Sequence, residues 1–314
     1  MAARIGKPLA NILCSALFAL SACAGAADRC DESAGISLQI LGSGGPIADD
    51  GRASSAYVVW VDGRSKILID AGGGAFLRFG EAGADFAELD HIAISHFHTD
   101  HSADLVALLK SGNFSARKRA LGISGPGGGG PFPGLPDYLE STIGKDGAYG
   151  YLSGYLDGSG GLVLLEPVTV DPSNRESIPV SVDSDSRIQI TATGVPHGIV
   201  PTIAYRVRVG NRELVFASDQ NGNDDEFIEF ARDADVLVMH MVVPEDVAGN
   251  GRNLHAPPSR IGQIAAASNA GMLVLSHFMA RSLRDFDANV ALVRKHYDGE
   301  VVTAEDLLCI GVAD

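Results

Sequence analysis

The chain has 314 residues, of which 46% are hydrophobic and 20% are charged. This composition argues against a disordered chain and predicts a large buried core, in one large α/β domain or two small ones. The formal net charge of −15 argues against nucleic acid as the main partner, because proteins that bind it usually present a basic surface.

The first 22 residues have the pattern of an export signal, with Arg4 and Lys7 ahead of an apolar run at 9–20. That run is too short for a comfortable membrane span. The residues around Cys23 resemble a bacterial lipobox, which predicts cleavage before Cys23 and a lipid on its thiol; a plain cleavage site at 24–26 is the alternative. Either pattern predicts an exported protein of the periplasm or cell envelope, in contact with a membrane only through the lipid.

Two cysteines, Cys30 and Cys309, lie near the two ends of the mature chain, while Cys14 is removed with the signal. An oxidising compartment permits a disulfide between them. Two unpaired, partly buried thiols are the alternative. The sequence leaves both open.

The mature chain begins with a predicted linker at 23–35, followed by short β-rich runs at 36–41, 55–61 and 66–70. The apolar run at 91–95 predicts a buried strand, and residues 102–109 have apolar side chains at helical spacing.

Residues 112–186 are rich in glycine and predict a loop-rich flap. The glycine-rich stretch 125–131 lacks the Gly-Lys-Ser/Thr ending of a phosphate loop, which favours a turn. The tyrosines of the flap either line a substrate pocket or pack beneath a long loop; they are Tyr138, Tyr149, Tyr151 and Tyr155.

From residue 187 onward, predicted strands and helices alternate. The strands are predicted at 187–195, 202–209, 213–218, 236–241, 272–277 and 301–303, and the helices at 225–232, 258–270 and 283–297. Both halves of the chain therefore contribute a sheet and helices.

The strongest chemical signal is the run His96-Phe97-His98-Thr99-Asp100-His101, between the strand at 91–95 and the following helix. It offers two nitrogens to one divalent metal and an oxygen plus a nitrogen to a second. Three more polar residues follow apolar strands further along the chain, namely His197, Asp219 and His277.

This set resembles the signature of the metallo-β-lactamase-fold hydrolases. The resemblance implies an α/β fold, a four-layer αββα sandwich with two mixed β-sheets, over residues 36–314. It implies that one metal is held by His96, His98 and His197, the other by Asp100, His101 and His277, and that Asp219 bridges them. Zinc suits these ligands best, and manganese or iron also fits. Asp70 is expected to hydrogen-bond the backbone behind the metal loop.

Within that family, the carboxyl-terminal half resembles the ribonuclease Z and arylsulfatase-like branch through the segments 235–240, 253–257 and 273–278. The resemblance makes His255 the candidate general acid, with a helix-start cap as the alternative. His240 would orient His255 or a ligand, or would be an ordinary buried histidine.

The expected function is hydrolysis of a small-molecule phosphodiester or aryl sulfate by attack of a metal-bound hydroxide, oriented by Asp100. Nucleic acid is not expected as a substrate, since the chain is predicted to be exported and shows no obvious basic arm; a homodimer is compatible with the sequence. A lactone or β-lactam hydrolase is the alternative, with β-lactams disfavoured by Asp219. A non-catalytic metal-binding lipoprotein of the cell envelope is the alternative of another class.

Overall fold

The computed structural model describes residues 1, 30, 35–182 and 187–312. Apart from residue 1, the predicted signal peptide lies outside these residues, as do the predicted lipid on Cys23 and most of the linker. Among the residues it describes, no helix combines the length and the hydropathy needed to cross a bilayer.

Fourteen strands make up the sheets in the described part of the chain. They are β1 (Ile36–Gly42), β2 (Ala56–Val61), β3 (Arg64–Ile69), β4 (His91–Ala93), β5 (Leu121–Pro126), β6 (Leu165–Val170), β7 (Ile178–Val182), β8 (Ile188–Gly194), β9 (Ile203–Val209), β10 (Arg212–Phe216), β11 (Val236–His240), β12 (Met272–Ser276), β13 (Glu300–Thr303) and β14 (Cys309–Gly311).

The helices lie between these strands. They are α1 (Ala75–Glu81), α2 (Thr99–Ser102), α3 (Leu105–Gly112), α4 (Leu135–Ile143), α5 (Gly154–Asp157), α6 (Glu226–Phe230), α7 (Asn250–Leu254), α8 (Pro258–Ala267), α9 (Ala280–Leu283) and α10 (Phe286–Arg294), with a 3₁₀ turn at Gly150–Leu152.

The strands form two seven-stranded sheets, in the orders β14-β1-β2-β3-β4-β5-β6 and β13-β12-β11-β10-β9-β8-β7. In each sheet one side is antiparallel and the other parallel, the change coming at β3 in the first and at β10 in the second. The prediction of two mixed sheets is therefore confirmed.

Side chains that alternate along each strand build a core on both faces of the first sheet. Leu38 and Ile40 of β1 face the second sheet and share one apolar cluster with Ile190 and Val207. On the opposite face, Leu68 and other outward side chains pack under helices α1, α3 and α4. Strands covered on both faces are mostly apolar, which explains why most of them are readable from the sequence.

The segment 112–186 differs from the expected loop-rich flap, because it contains β5, β6 and α4. Glycines and prolines inside these strands are typical of turns and loops, so the hydrophobic pattern of the sequence does not predict strands here. Gly122 of β5 is needed where it lies, since a Cβ there would come 2.4 Å from Nδ1 of His91. Pro167 is tolerated because β6 is the last strand of its sheet.

Two tyrosines of this segment serve packing. Tyr138 stacks on Phe97 with ring centroids 4.6 Å apart, and its hydroxyl donates to the carbonyl of Ser102. Tyr155 is buried and donates to the carbonyl of Leu109. The packing interpretation is therefore the correct one for this pair.

The two ends of the domain are joined by a disulfide between Cys30 and Cys309, with Cα atoms 5.3 Å apart. Cys309 begins β14, which pairs with β1 at the end of the first sheet. The alternative of two unpaired thiols does not hold.

Candidate metal centre

The motif predicted to carry the chemistry occupies the loop after β4 and the short helix α2. His96, Asp100 and His101 are buried, and His98 is half-buried. The loop opens towards the carboxyl ends of the second sheet's strands, from which the remaining polar side chains come.

A first group of possible metal donors consists of His96, His98, His197 and Asp219, whose ligand atoms lie within 4.8 Å of one another. Nε2 of His96 is 3.1 Å from Nδ1 of His98, and Nε2 of His197 is 3.5 Å from Oδ2 of Asp219. Nε2 of His197 is buried and has no hydrogen-bond partner. Such an unsatisfied donor atom among imidazoles fits a divalent metal of the zinc type.

A second group surrounds His101 and His277, whose Nε2 atoms are 3.0 Å apart. Asp100 contributes Oδ2 at 3.2 Å from Nε2 of His277, and Asp219 contributes Oδ1 at 3.5 Å from the same atom. This nitrogen and oxygen set also suits a divalent metal. The ligand atoms that lie within 4.8 Å of one another here belong to His101, Asp219, His240 and His277. This group includes His240, which the sequence did not place there, and leaves out Asp100.

Asp219 is shared by both groups, because its Oδ2 lies 3.5 Å from His197 and 3.8 Å from His101. Burial would raise the pKa of its carboxyl, but the neighbouring imidazoles, His277 first, hold that pKa well below its ordinary value. An ionised, buried carboxylate between two groups of nitrogens is suited to neutralising two cations.

His240 supports Asp219 from behind. Its Nδ1 is 2.7 Å from Oδ1 of Asp219, and its Nε2 is 3.1 Å from the hydroxyl of Tyr57, which donates to Ser276. Burial lowers the pKa of His240 to about 4, so the neutral ring is favoured at pH 7. Of the two interpretations, orienting a ligand is the one this geometry favours. Its position at the end of an apolar strand is the sequence signal for it.

Asp70 fixes the other face of the second group. Its Oδ1 accepts the backbone N–H of Ser95, as expected, and its Oδ2 lies 2.7 Å from Nδ1 of His101. Burial disfavours a charged ring, but Asp70 and then Asp100 raise the pKa of His101 to about 9. His197 is held in a similar way, with Nδ1 2.8 Å from the carbonyl of Leu254. Both contacts leave Nε2 facing the centre.

The backbone around the centre is strained. Asp70, Ser218 and His277 have φ values of 58°, 57° and 56°, a region that non-glycine residues rarely adopt. Each lies just beyond the carboxyl end of a strand, where the chain turns sharply to aim a side chain inward. Strain of this kind tends to concentrate at functional sites.

A cavity of about 450 Å³ opens over the centre. Its walls include His98, Asp100, His197, Asp219, His255 and His277. Among the described residues that line it, Arg281 provides the only Arg or Lys side chain. Sequence reasoning missed Arg281, whose one signal was its place four residues after His277.

His255, the candidate general acid, lies in this cavity with Nδ1 3.9 Å from Oδ2 of Asp219. Burial lowers the pKa of its ring to about 3, so the ring is neutral at pH 7 in the metal-free protein. Its Nδ1 is buried without a hydrogen-bond partner. The position suits contact with a substrate, whereas donating a proton requires the ring to be charged first.

Comparisons with known proteins agree with this centre. Residues 49–169 match the family model of the metallo-beta-lactamase superfamily. The ribonuclease Z of Mycobacterium bovis is 26% identical over 291 residues, which covers 87% of this chain and 96% of that protein. The ribonuclease Z of Haloarcula marismortui is 26% identical over 307 residues, covering 86% and 94%.

Solved structures are similar in fold. The metallo-beta-lactamase fold protein YhfI from Bacillus subtilis has a TM-score of 0.67 at 20% identity, covering 88% of this chain and 98% of that one. The short form of human tRNase Z has a TM-score of 0.66 at 20% identity, covering 88% and 100%.

Because the similar proteins are named ribonucleases, the expectation that nucleic acid is not a substrate is not borne out. The expected class of protein is confirmed. Residues 49–169 match the metallo-beta-lactamase superfamily, and the chain has the fold of the metallo-hydrolases of that superfamily.

Proposed function

We propose that this hydrolase binds two divalent metals and cleaves phosphodiesters, with aryl sulfates as a second ester class. The observation that carries the proposal is the position of Asp219, whose carboxylate faces both groups of donor atoms. A shared carboxylate suits a pair of metals that act together on one ester.

The first metal would be held by His96, His98 and His197, and the second by Asp100, His101 and His277. Asp219 would contact both. Zinc fits these donors best, and manganese or iron also fits. When bound, such a pair lowers the pKa of a water molecule to near neutrality and stabilises charge on the ester oxygens.

The side chains of the cavity provide the remaining functions. Neighbouring groups, first His101, outweigh burial and keep the pKa of Asp100 below its ordinary value, so its carboxylate can accept a hydrogen bond from the attacking water. Arg281 provides positive charge for an ester that carries a negative one. An anionic ester would also favour the charged form of His255. Once charged, His255 would deliver a proton to the leaving oxygen.

Three other functions compete with this one. The names of the similar proteins favour RNA as the phosphodiester, whereas the net charge of −15 opposes binding of a polyanion. A lactone or β-lactam could occupy the same cavity, but a neutral lactone makes less use of Arg281, and Asp219 disfavours a β-lactam. The last alternative is a metal-binding protein without catalysis.

The test compares initial rates of the metal-loaded protein on four substrates at equal concentration: an aryl phosphodiester, an aryl sulfate, a cephalosporin and a transfer-RNA precursor. We expect the aryl phosphodiester to be cleaved fastest, and we expect His255→Ala to lower that rate by roughly 10² to 10⁴-fold. The decrease in rate caused by His255→Ala should be smaller on a phosphodiester whose leaving group departs without taking up a proton.

A preference for the cephalosporin would overturn the proposal. Cleavage of the RNA alone would assign the protein to the function named for its relatives. Two bound metals per chain with no turnover of any substrate would favour the non-catalytic alternative.

A further inference from the structure

Five large apolar side chains are exposed together on the helical layer that covers the first sheet. Their exposed fractions are 44% for Phe76, 62% for Leu77, 78% for Phe114, 44% for Tyr149 and 64% for Tyr151. We call these five residues the apolar patch. These five account for more than half of the nine exposed large hydrophobic side chains among the described residues.

The apolar patch is continuous. The ammonium group of Lys110 lies 4.8 Å from the ring centroid of Phe114 and 5.1 Å from that of Tyr151, and the Tyr149 and Tyr151 rings are 6.4 Å apart. Phe114 also lines a groove of about 440 Å³ together with Phe76 and Leu77. One surface therefore runs from α1 across the end of α3 to the 3₁₀ turn.

The amino-terminal segment joins the domain on the same outer face of the first sheet that α1 and α3 cover. Cys30 is bonded to Cys309 and packs in the apolar cluster that includes Phe79 of α1. In addition, the guanidinium of Arg78 in α1 lies 3.2 Å from Asp306, three residues before Cys309. The disulfide thus anchors the segment on the layer that presents the apolar patch.

The length of that segment restricts how the domain could face a membrane. Six residues separate Cys23 from Cys30, so the Cα atoms of the two cysteines can be at most about 25 Å apart when the segment is fully extended. A compact domain of this size is about 50 Å across. A lipid on Cys23 would therefore hold the face of the domain near Cys30 towards the bilayer. The segment is too short for the opposite face of the domain to reach the bilayer.

We propose that the apolar patch is the surface on which this domain rests on a lipid bilayer, attached there by a lipid on Cys23. The attachment would form a C–S bond between the Cys23 sulfur and the glycerol carbon of a membrane phospholipid. The headgroup phosphate leaves with the electrons of the broken C–O bond and takes up the thiol proton.

The chemistry of the apolar patch fits the interfacial region of a bilayer. Tyrosine places an apolar ring in the acyl boundary and its hydroxyl among the headgroups, and Lys110 can extend its ammonium group to the same level. Phe114 and Leu77 would enter furthest. Asp85, which lines the groove, opposes attraction to anionic lipid, so contact should depend on apolar burial more than on lipid charge.

The test uses the fluorescence of a new tryptophan, because the protein has a single one, Trp60, which is only 8% exposed. Phe114→Trp and Ile199→Trp are each made in the full chain, purified from membranes and reconstituted in phosphatidylcholine vesicles with brominated acyl chains. Ile199 is the matched control, since it is 78% exposed and lies outside the apolar patch.

We expect brominated lipid to quench about half or more of the added emission in Phe114→Trp and little of it in Ile199→Trp. Leu77→Ser in the Phe114→Trp background should reduce the quenching. Leu77→Ser should not change the rate at which a soluble aryl phosphodiester is hydrolysed, so the membrane proposal and the catalytic proposal can fail independently.

Equal quenching in the two variants would overturn the proposal, and so would an intact mass that shows no lipid on Cys23. A dimer in solution that Leu77→Ser dissociates would assign the apolar patch to a second copy of the chain, and would overturn it as well.

Discussion

The two groups of donor atoms in the centre are supported very differently. His101 in the second group is held by Asp70, and the carboxylate beside it is held by His240, which in turn contacts Tyr57. In the first group the outer contacts come from neutral groups, since Nδ1 of His96 is 3.1 Å from the Ser95 hydroxyl and Nδ1 of His197 is 2.8 Å from the carbonyl of Leu254. Nδ1 of His277 in the second group has no partner, and His98 in the first is only half-buried.

This difference suggests a division of roles. Outer hydrogen bonds fix the orientation and the basicity of a ligand. A carboxylate partner such as Asp70 raises the basicity of an imidazole more than a hydroxyl or a carbonyl does, so we expect the second metal to be bound more tightly. Both groups line the cavity, but His98 of the first group is the one half-buried ligand and has more freedom. We therefore expect the first metal to be the more easily exchanged of the two.

The largest effect is expected from Asp219→Asn, because this residue belongs to both groups. Removing its charge takes the counter-ion from two cations at once, so we expect loss of both metals. The rate should fall by more than the roughly 100-fold that outer-contact variants reach. Metal content per chain after dialysis and the initial rate on an aryl phosphodiester measure the two effects. If both metals stayed bound, the shared role of Asp219 would be wrong.

A smaller and one-sided effect is expected from Asp70→Asn. The amide keeps an oxygen for the N–H of Ser95 but removes the charge beside His101. We expect the second metal to bind about 10 to 100-fold more weakly, with the first unaffected. Titration with a competing chelator should then resolve one weakened site, and excess metal should restore the rate. Equal weakening of both sites would remove the distinction between the two groups.

The meeting of these donor side chains could be predicted from sequence because they follow apolar strands, and the strands of one sheet end at a common edge. The supporting contacts could not. Whether His240 faces Asp219 or His255 depends on the register of β11 beside β10 and β12, which pattern reading does not give. Arg281 likewise reaches the cavity only because α9 begins directly after the turn at His277.

The segment between the two halves shows the same limit in the fold. Periodicity identifies strands that are covered on both faces, yet β5 and β6 contain glycine and proline for local reasons of packing and edge position. A run such as Leu121–Pro126 resembles a loop in sequence. It forms a strand because its backbone pairs with β4. The glycine at position 122 is required because the His91 side chain of β4 occupies the space where a Cβ would lie.

The smallest effect on activity is expected from His91→Gln, which tests whether buried imidazoles outside the two groups influence the centre. His91 is 1% exposed and its Nε2 lies 2.8 Å from the hydroxyl of Ser124. Burial lowers the pKa of its ring from 6.5 to about 3. The folded protein therefore binds fewer protons at His91 than the unfolded chain between these pH values, and stability must fall as the pH falls through 6.5.

Between pH 7 and pH 5 one such histidine costs the folded state about 2 kcal/mol. We expect His91→Gln to lower stability at pH 7 but to lose about 2 kcal/mol less than the parent on moving to pH 5, because the amide does not titrate. Denaturant unfolding of the chelated protein at both pH values measures this difference, and His296→Gln on the surface controls for loss of an imidazole. An unchanged dependence on pH would mean that His91 binds a proton as readily in the folded protein as in the unfolded chain. Reduced metal content at pH 7 would instead show that His91 supports the centre, contrary to its place outside both groups.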